Sequence, residues 1–425
     1  MKKPYFAALL ALSICLCGCG SKGASLPIRA EEEIYETETS EVVMEEAPSA
    51  LINVSGISIT ELTESSSFYA SEDDSVCVLD ATAAYPMITI ADRADASNKI
   101  NNAISTELET FWNFEKENVS YAEEEYRMTL DDPEYGFHPY TAQFSYEIKR
   151  CDDKIISIVF TQYDYTGGAH GNSWNYGVTF DTATGDRLHL EALSDDSTAF
   201  YQMLFLNLNA QAALPAYETY IFDEFVADID ASLLKDSAVW YFDRSGLSFI
   251  SNPYVLGPYA AGTFEFNIPY ADLNGLNEKY SYDGVFIRKL FPGISVQYDI
   301  NGDGTTDEVC YSITSDEDYS NPQTTLTIDG HDYSKQLDKL HLTYPWTGAY
   351  YLMDVDSEDG YIEVAICNEN FNNPEGTCTH FFRYSTTNQL VYQGNTPGVF
   401  NENMQIRYNA NGNLIVCDRN GDPVE

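Results

Sequence analysis

The sequence predicts an α+β fold: two small units, each an antiparallel sheet with a helix, packed as one module, followed by a mainly β domain with DxNxDG-type loops. Three observations carry this expectation. Alternating apolar and polar residues recur in short runs such as Thr141–Arg150 and Lys154–Tyr163, the period of half-buried strands. Two stretches, running to about Phe114 and over Ser197–Ala212, space their apolar residues as helices do. The helical stretches alternate with hairpins rather than with single strands, the order of α+β chains and not of α/β chains. At 425 residues the chain exceeds one ordinary core, so two or three domains are expected.

The chain opens with Lys2 and Lys3, an apolar run Tyr5–Leu16, and then Leu16-Cys17-Gly18-Cys19. That run is too short to span a bilayer as a helix. It resembles a bacterial lipoprotein signal over residues 1–19, although Cys17 is an unusual residue at its place. The resemblance implies cleavage after Gly18 and lipidation (palmitate among the acyl groups) of Cys19. It also implies a place on the outer face of the cell membrane of a Gram-positive-like bacterium. Residues 20–70 read as an acidic, disordered tether, since Glu31-Glu32-Glu33 and the acids to Glu46 repel one another. Sixty-seven acidic residues against 22 basic ones give a net charge of −45. Such a balance argues against nucleic acid and against an anionic membrane surface, leaving the lipid as the membrane contact. It favours calcium or a basic protein partner, or reflects a solvated acidic surface and nothing more.

The first α+β unit is expected over 71–160. Val76–Leu79 and the residues after Tyr85-Pro86 are strand-like, and Asp95 or Ser97 can cap a helix. That helix would carry Ile100, Ala103, Ile104, Leu108 and Phe111 on one face. The second unit is expected over 161–280. It begins with a tight loop, Thr166–Asn172, in which Gly167, Gly168 and Gly171 supply conformations that side chains avoid. Tyr163, Tyr165, Gly167, Gly168, His170, Asn172 and Trp174 are the candidate ligand-binding residues. A helix over Ser197–Ala212, a further helical stretch over Phe222–Lys235 and a strand Thr263–Ile268 follow.

Two segments, YDYTGGAHGNSWNYGVTFDTATGDRL from Tyr163 and WYFDRSGLSFISNPYVLGPYAAGTFEFNIPYADL from Trp240, resemble domain of unknown function 3298. The region around Tyr85-Pro86 and Ile100-Asn101 is similar to its usual N-terminal companion, domain of unknown function 4163. In such relatives the pair forms the extracellular part of a lysozyme-sensing anti-sigma factor, or precedes the catalytic domain of a peptidoglycan deacetylase. The resemblance implies a non-catalytic module that binds a basic envelope-active protein such as lysozyme, or cell-wall glycan. The deacetylase's aspartate motif is not reproduced, because Thr182-Ala183 follows Asp181 where an acid and a glycine are expected.

Residues 288–425 read as a β domain. Asp299-Ile300-Asn301-Gly302-Asp303 and Asp307 sit between strands, with oxygen donors at alternate positions and a glycine for the turn, as hard cations require. Asp299, Asn301, Asp303 and Asp307 are therefore candidate ligands of a structural Ca²⁺, the alternative being a plain Asn/Asp/Gly turn. Asp354, Asp356, Glu358 and Glu363 repeat the pattern less closely, and Asp418–Asp422 is a truncated third. Six cysteines follow Cys19, namely Cys77, Cys151, Cys310, Cys367, Cys378 and Cys417. None forms a CxxC pair, and export leaves disulfides and buried thiols both open. No catalytic residue is assigned: GxSxG, HExxH, Walker and GxGxxG patterns are missing. The competing enzyme reading, a peptidoglycan-modifying enzyme or its accessory factor, would centre on His170 with Asp164 or Asp181 orienting its ring.

Overall fold

The computed structural model describes residues 52–54, 56–131, 136–215, 217, 220–234, 239–314, 323–342, 349–356, 359–368, 378–400, 405–408 and 414–417. Cys19, the signal and most of the tether lie outside them, as do Glu358 and the third acidic loop.

Strand periodicity in the first part of the chain becomes one six-stranded sheet. Its strands are β1 (Ile52–Val54), β2 (Ile57–Ala70), β3 (Asp73–Ile90), β4 (Tyr140–Cys151), β5 (Ile155–Tyr165) and β6 (Asn172–Asp181), in that order across the sheet. Two boundaries drawn from the sequence move. The tether does not extend to residue 70, because β2 pairs with β3 from Ile57↔Ile90 to Ala70↔Asp73. Serines 65–67 read as linker, yet they pair with Thr82, Ala81 and Asp80 of β3. Nor does a unit begin at 161, because β5 runs through that point and pairs with β4 on one side and β6 on the other.

The helix α1 (Ala94–Asp131) has 38 residues and extends well past Phe114. At 1.5 Å per residue it is about 57 Å long, the length of the β2–β3 hairpin beneath it. Ile100, Ile104, Leu108, Phe111, Ala122 and Tyr126 form its buried stripe. At the hairpin tip, Glu123 accepts from the Ser71 backbone at 3.1 Å, and Arg127 pairs with Glu72. α1 also carries the chain between β3 and β4, which pair in parallel from Leu79↔Tyr140 to Ala83↔Phe144. The module therefore contains one βαβ crossover that hairpin counting did not anticipate. Pro86, which has no N–H to give, lies on β3 beyond the stretch that β4 covers.

The second unit packs α2 (Ser197–Ala212) on a three-stranded sheet of β7 (Trp240–Phe242), β8 (Gly246–Ser251) and β9 (Phe264–Pro269). Asp196 caps α2 by accepting from Ala199 N at 3.0 Å, and Phe200, Leu204, Leu208 and Ala212 are buried at four-residue spacing. The two units share a dense seam. Gly177 of β6 lies so close to Trp240 that a Cβ would stand 2.0 Å from its carbonyl oxygen. Arg150, 1% exposed, closes the seam through Asp152, the Tyr270 hydroxyl and the carbonyls of Tyr280 and Ser281, at 2.6–2.8 Å.

The C-terminal part is mainly β, as expected. β10 (Ile287–Leu290), β15 (Tyr350–Met353), β16 (Glu363–Asn368), β17 (Cys378–Tyr384) and β18 (Leu390–Pro397) form a five-stranded sheet. β11 (Val296–Tyr298), β12 (Asp307–Thr314), β13 (Gln323–Ile328) and β14 (His331–Asp332) form a second sheet, and β19 (Gln405–Tyr408) pairs with β20 (Leu414–Cys417). Cys77, Cys151, Cys310, Cys367, Cys378 and Cys417 are all free thiols.

Candidate functional site

β5 is buried on both faces, with Ile155–Phe160 enclosed without a break, so its loop end presents chemistry to two neighbours at once. Successive residues on a strand alternate faces. Gln162 and Asp164 face α1, together with their cross-strand partners Trp174 and Asn172. Tyr163 and Tyr165 take the opposite face, toward the second unit. The seven candidate residues are thus divided by the sheet rather than gathered in one cluster.

On the second-unit face, the loop between β5 and β6 closes over Tyr163. A Cβ at Gly171 would stand 2.4 Å from the Tyr163 ring, so a side chain there would force that ring to move. Gly167 has φ +79°, the left-handed region, and lies against the Glu125 carboxylate of α1. His170 is exposed and stacks on Tyr259 of the second unit, with ring centroids 3.8 Å apart and planes 14° from parallel. Its Nδ1 lies 3.0 Å from the Gly171 carbonyl, which also accepts from the Tyr259 hydroxyl at 2.6 Å. Tyr254, 61% exposed, continues the aromatic row 5.6 Å from Tyr259. Tyr220 and Phe222 are exposed too, and Phe222 N donates to the Leu256 carbonyl at 2.8 Å, joining their segment to this one.

On the α1 face, two carboxyl groups meet. Glu115 is fully buried, in the stripe register where an apolar residue would be expected. It shares a hydrogen bond with Asp164. Asn118, one turn on, donates to Glu115 Oε2 at 3.1 Å, and Gln162 Nε2 stands 3.3 Å from both Asp164 oxygens. Burial and the neighbouring Asp164 push the Glu115 carboxyl up to about 8, and burial raises Asp164 as well. Two carboxyl groups that share a hydrogen bond resist ionising together, which favours one proton held between them. Beside it Glu64 accepts from the Tyr85 hydroxyl at 2.7 Å and from Trp112 Nε1 at 3.1 Å.

Neither acid expected to orient His170 does so. Asp164 is engaged with Glu115 and Gln162, and Asp181 Oδ1 accepts from the amides of Ala183 and Thr184 at 2.9 and 3.0 Å. Sequence reasoning missed Glu115, Asn118, Tyr254 and Tyr259. For the first two a signal existed: polar residues in phase with Ile104, Leu108 and Phe111. For the tyrosines there was none, since they lie some 85–90 residues beyond the loop they join.

In the C-terminal domain the acidic loops turn inward. Asp299 accepts from the amides of Asp303 and Gly304 at 3.1 and 2.8 Å, and Asn301 from that of Asp303 at 3.0 Å. Asp303 accepts from Thr305 N at 2.9 Å. Asp307, 3% exposed, accepts from Ile300 N at 2.9 Å and stands against Asp329; burial pushes it up to about 6. Glu363 is fully buried and accepts from Arg383 Nε at 2.7 Å, while Asp354 Oδ1 is buried without a protein partner. Among the described residues no three His, Cys, Asp or Glu side chains converge as metal ligands. The donors suit Ca²⁺ by type, and in this arrangement most of their oxygens serve amides and Arg383, with Asp354 Oδ1 the exception.

Comparison with known proteins bears on this geometry. A family model described as deacetylase PdaC matches residues 71–173, and one described as a protein of unknown function (DUF3298) matches residues 200–271. The glycine loop, first read with the DUF3298-like segment, thus falls wholly within the PdaC match. No curated protein matches. Among solved structures, a member of the DUF3298 family from Bacteroides fragilis is 16% identical, with 54% of this chain and 96% of that one covered and a TM-score of 0.41. A DUF3298 family protein from Pseudomonas aeruginosa is 16% identical, with 54% and 97% covered and a TM-score of 0.36. The chain is therefore similar to PdaC over the sheet and helix that carry the glycine loop, and to DUF3298 over the unit that carries its aromatic partner.

Proposed function

We propose that this chain is a non-catalytic binding module, held by a lipid on Cys19 at the outer face of the cell membrane. Its ligand is a basic envelope-active protein such as lysozyme, taken at the loop end of β5–β6. One observation carries the reading: exposed His170 and Tyr254 flank half-buried Tyr259 in an aromatic row built jointly by the two units. Exposed aromatic faces receive Arg and Lys side chains by cation–π contact. The acidic residues that follow Phe222, Asp223 and Glu224, are exposed, and the chain's net charge of −45 steers a basic partner toward it. The enzyme reading finds less support, because His170 meets a backbone carbonyl and a tyrosine ring where a general base would need an orienting acid.

The test is calorimetric titration of residues 51–425 with hen-type lysozyme at low and at physiological salt, wild type beside Tyr259→Ala. Binding that survives physiological salt and weakens about tenfold in the variant is expected, the loss of one stacked aromatic anchor. Heat that vanishes with salt would sink the protein ligand and turn attention to wall glycan. Labelled palmitate incorporated by wild type but not by Cys19→Ala tests the anchor.

A further inference from the structure

Arg288 stands on β10, where the C-terminal domain meets the second unit, and is only 5% exposed. Its Nε has no protein hydrogen-bond partner. Its Nη1 lies 3.7 Å from Glu265 Oε1, an ion pair longer than a hydrogen bond. A guanidinium offers five N–H donors, and burying one without an acceptor carries a desolvation penalty. This side chain borders a cleft shared by four segments. Lys149 comes from β4, Asp243 and Arg244 from the β7–β8 turn, Glu265 from β9, and Lys289 from β10 beside Arg288.

The charge of the cleft inverts that of the chain. Four basic residues and two acids line it, in a sequence with 22 basic and 67 acidic residues, and one of the four, Lys149, is also paired with Glu147 of its own strand. One of the two acids is already committed. The Asp243 carboxylate accepts from Ser245 N and Oγ, Gly246 N and Ser248 Oγ at 2.7–2.9 Å, binding its own turn. Glu265 balances part of the Arg288 charge and leaves Nε without a hydrogen-bond partner. Ile287 supplies the apolar part of the lining, and the Phe291 ring lies 5.9 Å from the guanidinium and 5.8 Å from Lys289 Nζ.

We propose that this cleft binds a small oxyanion, a phosphate or carboxylate group, held by the Arg288 fork and flanked by Lys149, Arg244 and Lys289. Planar guanidinium donors match such oxygens two at a time, and a partly dry wall strengthens the contact. The bound anion would also tie β10 to the β7–β8 turn and to β4, coupling the C-terminal domain to the module before it. The site is separate from the aromatic row and stands whether or not that row binds lysozyme.

The experiment titrates the full chain with inorganic phosphate, acetate and a glycerol phosphodiester by calorimetry, at ionic strength fixed with sodium chloride. A saturable one-to-one isotherm is expected for at least one of them. Arg288→Lys, which keeps the charge and loses the fork, should bind about tenfold more weakly. Lys289→Ala, at a half-buried position, should lose a few-fold, and Lys99→Ala, remote and exposed, nothing. If Arg288→Lys lacks the native circular dichroism, Lys289→Ala and Arg244→Ala decide. Tighter binding of the diester than of phosphate would assign the group to a polymer, and the reverse to a free ion. No saturable heat from any probe up to about 10 mM, the range of very weak binding, overturns the proposal. So does equal affinity in wild type and in the cleft variants.

Discussion

Replacing Glu115 by Gln should stabilise the protein at pH 8 and change little at pH 5.5. Glu115 is fully buried, and its carboxyl is pushed from 4.5 up to about 8 by burial and by Asp164. Between those values the folded state holds a proton that the unfolded chain has released. Stability therefore falls as pH rises through that window and levels off above it. At about 1.4 kcal/mol for each step in pH across that window, the ceiling is about 5 kcal/mol. Because Asp164 shares the proton, roughly 2–3 kcal/mol is expected from Glu115 alone. Glutamine keeps the shape: its oxygen can accept from Asn118 and its amide can donate to Asp164, as the protonated carboxyl does. What it gives up is the long 3.5 Å contact from Gln162. Urea denaturation followed by tryptophan fluorescence, at pH 5.5, 6.5 and 8, measures the difference. Trp112 and Trp174 both lie in this module and report its unfolding. Asp307, raised to about 6, adds a slope of the same sign in both proteins, so subtracting the variant from wild type removes it. The reasoning fails if the variant is destabilised equally at all three pH values, or if the wild-type slope between 5.5 and 8 persists in it.

Arg150→Met should cost about 3–5 kcal/mol, the range for breaking a buried ion pair, since it strands Asp152 and the carbonyls of Tyr280 and Ser281 together. Denaturant midpoints of the two proteins give the figure, and a loss below 1 kcal/mol would mean that the seam does not rest on this residue. Gly177→Ala drives a Cβ to 2.0 Å from the Trp240 carbonyl, so β6 and β7 must separate. Limited proteolysis should then cut between residues 181 and 240 sooner than in wild type, whereas Gly136→Ala, with nothing within 4 Å, should behave as wild type. Calcium at millimolar concentration should leave the melting temperature unchanged, because the oxygens of Asp299, Asn301 and Asp303 already serve amides. A calcium-dependent rise of several degrees would restore the metal reading.

What was legible in the sequence was whatever repeats locally. The alternation of β4 and β5, the helical spacing through Phe111 and the turn chemistry of the glycine loop each follow from a few neighbouring residues. The end of α1 did not, for a physical reason. Its stripe passes through Glu115 and Asn118, and a carboxylate in that register reads as solvent until the facing residue, Asp164, is known. The parallel pairing of β3 with β4 was hidden in the same way, because the 38-residue helix between them read as a helix followed by a polar segment. The aromatic row depends on Tyr259, far along the chain from His170, and the seam built by Arg150, Ser157, Gly177 and the Asn175–Asn252 pair brings them together. That seam also bears on what the row can do. A ligand that separated His170 from Tyr259 would remove the Tyr259 hydroxyl from the Gly171 carbonyl, whereas a ligand lying across the exposed faces would leave both contacts intact. The row is thus more readily used as a preformed rim than as a hinge, and preformed surfaces lose less entropy on binding. Lysozyme binding should accordingly leave the hydrogen-exchange protection of β5 and β6 unaltered, while protecting the amides around Tyr254 and Phe222.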